Sequence, residues 1–100
     1  MALQIVWTPE ASQHFEEILE YWIKRNGSPI YSQKLYQTVK SSLGVLAKYP
    51  ASGKLTERSG IRVKIVKDYY LFYSYNPDHL VIVGMCDMRR DQNIIQDFLK

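Results

Sequence analysis

Apolar positions change their spacing along the chain, and each change predicts an element. Leu3, Ile5 and Trp7 alternate with Gln4 and Val6, the period-two pattern of a short strand. Ala11, Phe15, Ile18, Leu19, Trp22 and Ile23 then follow helical spacing, with Glu16, Glu17, Glu20 and Lys24 on the other side. The helix is predicted to start at Pro9: Thr8 offers a capping oxygen, proline suits the first helical position and Glu10 suits the first turn. Asn26-Gly27 ends it, and Ser28-Pro29 starts a second helix almost at once. That helix carries Tyr31, Leu35, Val39, Leu43 and Leu46 on its apolar side and exposes Gln33, Lys34, Gln37, Lys40 and Ser41. It runs to Tyr49-Pro50, about twenty residues or roughly 30 Å. The two helices are expected to form an antiparallel hairpin.

Residues 50–60 read as a loop of turn formers and charge. Beyond it the period returns to two, with Ile61, Val63 and Ile65 on one strand face and Arg62 and Lys64 on the other. Lys67-Asp68 is a predicted turn. Tyr69 to Tyr75 follows as a strand with Leu71, Tyr73 and Tyr75 opposite Tyr70 and Phe72, and Asn76-Pro77-Asp78 is a second turn. Leu80 to Cys86 is nearly all apolar, as in a strand covered on both faces. Ile94, Ile95, Phe98 and Leu99 predict a short C-terminal helix over residues 91–99. The order β-α-α-β-β-β-α describes one α+β domain over residues 1–100, a helical hairpin packed on an antiparallel sheet.

Composition excludes some classes of function. With 46% hydrophobic and 23% charged residues the chain is an ordinary globular sequence, neither disordered nor fibrous. Its single cysteine, Cys86, allows no intrachain disulfide and no cysteine-rich zinc site, and reads as a small buried hydrophobe. His14 and His79 lack ligand spacing and read as surface residues, so neither a metal nor a small-molecule cofactor is expected. No signal-like start and no long apolar run is present, so a cytoplasmic protein without membrane contact is expected. The net charge of +3 is mild, but Lys54, Arg58, Arg62, Lys64 and Lys67 face only Glu57 within the segment they span. That local excess of cations permits a nucleic-acid or acidic protein partner.

Taken together, several short patterns resemble the RelE/ParE superfamily of bacterial toxins from type II toxin–antitoxin pairs. They are Trp7, Pro9 and Ala11 at the start of the first helix, Ile18, Leu19, Tyr21 and Trp22 within it, and Leu46, Tyr49, Pro50 and Gly53 at the end of the hairpin. Arg62 to Tyr73 (R-V-x-I-V-x-D-Y-x-L-F-Y) and Asp87 to Arg90 (D-x-R-R) complete the set, so the resemblance spans nearly the whole chain. It implies a RelE/ParE-like fold and a growth-inhibiting, plasmid-stabilisation type toxin neutralised by a cognate antitoxin that wraps it. RelE-like members cut messenger RNA in the ribosome, whereas ParE-like members poison DNA gyrase. The long, tightly joined hairpin resembles the ParE side.

RNA cleavage on such a fold needs a base for the 2′-hydroxyl, cations for the phosphate and an acid for the leaving oxygen. Arg62 and Lys64 match the basic pair that the nucleases carry, and Arg89 and Arg90 are placed to close the other side of a phosphate site. The sequence departs from the nuclease pattern at Tyr70, where those enzymes have an arginine. It departs again after the last strand, where Gln92, Asn93 and Ile94 replace a tyrosine or histidine. Asp87 would serve as a base only if desolvation outweighed the two arginines beside it. Arg62, Lys64, Tyr70, Arg89 and Arg90 are therefore the expected contacts for target or antitoxin, and with Asp87 they are the candidates if the chain is a nuclease. Three functions stay open: a gyrase-directed toxin that only binds, a ribosome-dependent endoribonuclease, and a degenerate member that binds its partner alone.

Overall fold

The computed structural model describes residues 2–89. Its elements are β1 (Gln4–Trp7), α1 (Pro9–Asn26), α2 (Ile30–Lys48), a 3-10 turn (Pro50–Ser52), β2 (Lys54–Leu55), β3 (Arg62–Val66), β4 (Tyr69–Tyr75) and β5 (His79–Asp87). Residues 90–100, including Arg90 and the expected C-terminal helix, lie outside the described residues.

The ends of α1 follow from its capping residues, whereas α2 starts at Ile30 after Pro29 with no side-chain cap bond. The Thr8 hydroxyl accepts the Ala11 amide at 3.1 Å, while the Thr8 amide donates to Ile82 O at 3.0 Å. One residue thus closes β1 and opens α1. Gly27 sits at φ 65, the left-handed conformation that terminates α1 without the steric cost a Cβ would bring. Ser32 Oγ donates to Leu19 O at 2.6 Å and ties the two helices together.

The strands order as β1-β5-β4-β3-β2. The antiparallel pairing expected of the sheet holds from β2 to β5, but β1 runs parallel to β5, from Gln4 against His79 to Trp7 against Ile82. The sheet is therefore mixed. The partner of β1 is set by docking across the whole length of the chain, which a local pattern does not encode. The two-residue β2 falls inside the segment expected to be loop, because two residues carry no periodicity.

α1 and α2 cover one face of the sheet. Leu35, Val39, Leu43 and Leu46 from α2 and Ala11 and Phe15 from α1 pack there on Leu71, Tyr73, Leu80, Ile82 and Met85. Each fully buried leucine contributes about 1.5–3 kcal/mol. A smaller cluster, Val63, Phe72 and Cys86, is buried on the opposite face, with Tyr70 and Val83 against it. Val83 is the extra residue of a bulge, since Phe72 pairs with Gly84 and Tyr73 with Ile82. Cys86 is fully buried, as expected of a small hydrophobe.

The turn from β3 to β4 consists of Lys67 and Asp68, and Lys67 has φ 54. Two-residue hairpin turns with positive φ at the first position normally take glycine there. A lysine held in that conformation costs about 1–3 kcal/mol.

Candidate functional site

Direct strand partners share a sheet face, so the register locates every candidate side chain. Arg62 pairs with Tyr73 and Lys64 with Leu71, which puts both cations on the helix-covered side. Tyr70 pairs with Ile65 and Cys86 on the other side, where its ring lies 5.9 Å from that of Phe72. Tyr70 and the Arg62/Lys64 pair are thus separated by the sheet. Tyr69 and Tyr73 are buried on the helix side, whereas Tyr75 is 41% exposed at the strand end.

At one end of the sheet Arg62 is held by the chain itself. Its Nη1 donates to Gly53 O at 2.8 Å and to Ala51 O at 3.2 Å, and its Cζ lies 6.0 Å from the Tyr75 ring centre. Beside it the fully buried Tyr73 hydroxyl donates to Pro50 O at 2.7 Å and accepts the Gly53 amide at 2.8 Å. Burial pushes the Tyr73 pKa above its ordinary value, against the lowering effects of the Gly53 amide and of Arg62. A Cβ at Gly53 would collide with the Tyr73 hydroxyl and come within 2.7 Å of its ring carbon Cε1. The Tyr49-Pro50-x-x-Gly53 pattern is thereby explained: glycine lets the loop close onto a buried phenol.

The other end combines short hydrogen bonds with long ion pairs. Asp87 is 6% exposed, pairs with Tyr69 across the strands and accepts the Arg89 amide at 2.7 Å. The Arg89 guanidinium stands 3.9 Å from Asp87 and 3.7 Å from Asp68, with 71% of its side chain exposed. Tyr69 accepts a 2.6 Å hydrogen bond from Trp22 Nε1, and burial raises its pKa as well, the Trp22 bond opposing.

The candidates among the described residues therefore lie apart. Asp87 and Arg89 come together, but Arg62 lies roughly 14 Å from Asp87 along the strands and roughly 10 Å across them by strand geometry. Among the described residues no group of three His, Cys, Asp or Glu side chains is placed to hold a metal ion. No described helix is long and apolar enough to cross a membrane.

Two features escape a reading of the sequence. His14, expected on the surface, is half-buried, and its Nδ1 accepts the Met85 amide at 3.3 Å. β1 ends at Trp7, opposite Ile82, and leaves the next part of β5 without a strand on that side, so α1 supplies a side chain in its place. The second feature is an open cleft of about 800 Å³ where α2 faces Lys67 of the β3–β4 turn. A lysine at the first position of a predicted two-residue turn was the available signal for it.

The described residues thus form a small α+β domain with a mixed sheet and with cations at both of its ends. Residues 5–91 match the family model of the ParE toxin of type II toxin–antitoxin systems, parDE, and the chain belongs to that family. Among solved structures it is similar to a chain of the chromosomal ParDE toxin–antitoxin system from P. aeruginosa, with TM-score 0.74 and 15% identity. That match covers 88% of this chain and 98% of the other, and at this identity it speaks for the fold. No curated protein sequence gives a significant match.

Proposed function

We propose that the chain inhibits growth by binding DNA gyrase, without covalent chemistry of its own, and is held inactive by a cognate antitoxin that wraps it. Family membership supports the class of target. The observation that carries the binding mechanism is the separation of the cations. Arg62 is engaged with loop carbonyls at one end of the sheet, Arg89 lies between two carboxylates at the other, and Tyr70 is on the opposite face. A transition state for phosphate cleavage needs its cations and proton-transfer groups within hydrogen-bond reach of one phosphorus centre. A wrapping protein needs contacts distributed around the fold, and Lys64, Tyr70 and Arg89 are so distributed.

Expression of the chain alone in bacteria, with DNA breaks and messenger RNA followed from the first minutes, tests this reading. Gyrase-linked breaks preceding any loss of message support it. Message cut first identifies the RelE-like nuclease instead, and absence of both with normal growth identifies a member that only binds its partner. Lys64→Ala combined with Arg89→Ala is expected to abolish growth inhibition with the fold kept. A folded double variant of full toxicity would remove both residues from the site.

A further inference from the structure

We infer that the cleft between α2 and the β3–β4 turn is a docking site for an acidic segment of a protein partner. The cleft is lined by Ile30, Gln33, Lys34, Gln37, Thr38 and Lys67. The five residues from α2 follow one another at i, i+3, i+4, i+7 and i+8, so they form a continuous stripe roughly 12 Å long on one side of the helix. Two lysines and no carboxylate stand in the lining. Neither lysine has a carboxylate within ion-pair distance among the described residues, because Asp68, the immediate neighbour of Lys67, faces Arg89 instead.

A second observation comes from the backbone. Lys67 is the one described non-glycine residue with positive φ. Glycine would relieve that strain, but it would also remove one of the two cations from the cleft. Strain retained at a residue that lines a cleft points to a use for its side chain.

The chemistry of the lining favours peptide over nucleic acid. Single-stranded nucleic acid is held by stacking on aromatic rings, and phosphate is best matched by the guanidinium fork. This cleft contains neither ring nor arginine. It offers two ammonium groups for carboxylates, two side-chain amides able to bond a peptide backbone, and Ile30, 61% exposed, for an apolar side chain at one end. The proposal goes beyond the toxin reading and does not depend on which enzyme is the target, since none of these residues is among the target or antitoxin contacts named above.

The test is an NMR titration of the intact chain with a capped peptide of one leucine and five glutamates, repeated with an oligothymidylate of equal charge. The peptide is expected to shift the amides of residues 30–38 and Lys67. Lys34→Glu with Lys67→Glu is expected to weaken its binding by about tenfold or more. Lys67→Gly is the sharper variant, because it should weaken binding by about threefold while raising the melting temperature. A purely structural role for Lys67 does not produce that opposed pair of effects. Peptide shifts confined to other surfaces, a Lys67→Gly chain of unchanged affinity, or tighter binding of the oligothymidylate at the same residues would each overturn the proposal.

Discussion

The two ends of strand β4 hold their neighbours in opposite ways. At the Tyr73 end a buried phenol, a glycine amide, a proline carbonyl and the Arg62 guanidinium are joined at 2.7–2.8 Å. At the Tyr69 end one arginine stands 3.7 and 3.9 Å from two carboxylates, and the turn keeps a strained lysine directed by no ion pair among the described residues. The first end uses its polar groups internally and gains stability. The second also holds short bonds, from Trp22 to Tyr69 at 2.6 Å and from the Arg89 amide to Asp87 at 2.7 Å, but it leaves Lys67 without an ion pair among the described residues.

Substitutions at each end should differ in size and in sign. The largest effect is expected from Gly53→Ala, whose Cβ collides with the Tyr73 ring and hydroxyl. It should lower unfolding free energy by about 3 kcal/mol, measured by urea denaturation, through overpacking and loss of the hydroxyl's bonds. Tyr73→Phe keeps the ring and removes the hydroxyl, leaving the Gly53 amide without that acceptor. A loss of about 2 kcal/mol is expected. A variant of Tyr73 as stable as the parent would mean that the two ends are equally loose.

The same hydroxyl predicts a pH dependence. The pKa values of Tyr73 and Tyr69 are raised in the folded chain, chiefly by burial, above the unfolded value of about 10. Above that value the unfolded state binds fewer protons than the folded one, so stability falls as pH rises. It should be fully retained below pH about 10 and lost as pH climbs through the raised folded values. Denaturation midpoints between pH 8 and 11 should therefore decline more steeply for the parent than for Tyr73→Phe.

At the other end the expected effects are small. Arg89→Ala should change stability by no more than about 0.5 kcal/mol, since its pairs are long and its own side chain is largely exposed. Lys67→Gly should stabilise by about 0.5–1 kcal/mol, the reverse of the Gly53 substitution. A destabilised Lys67→Gly chain would show that the turn conformation is not strained.

Much of this fold can be read before any coordinates. Thr8-Pro9 and Asn26-Gly27 mark helix ends by local chemistry, and the alternation from Tyr69 to Tyr75 marks a strand, because each signal acts over a few residues. What cannot be read depends on distant parts meeting. The parallel docking of β1 on β5, the pairing of β2 and the His14 bond to Met85 have no local signature. The site residues follow the same division. Alternation correctly separates Tyr70 from Tyr69 and Tyr73, yet it does not say which face the helices cover, and so it leaves Arg62 beside Gly53 and Arg89 beside Asp68 unseen. The strained Lys67 was present in the sequence as an unlikely residue for its turn position.

Supercoiling by purified DNA gyrase, assayed with the antitoxin-free chain in the absence of ribosomes and RNA, tests the central claim most directly. The chain alone is expected to inhibit supercoiling, and added antitoxin to restore it. Gyrase left fully active by a folded chain that cuts ribosome-bound messenger RNA would contradict that claim.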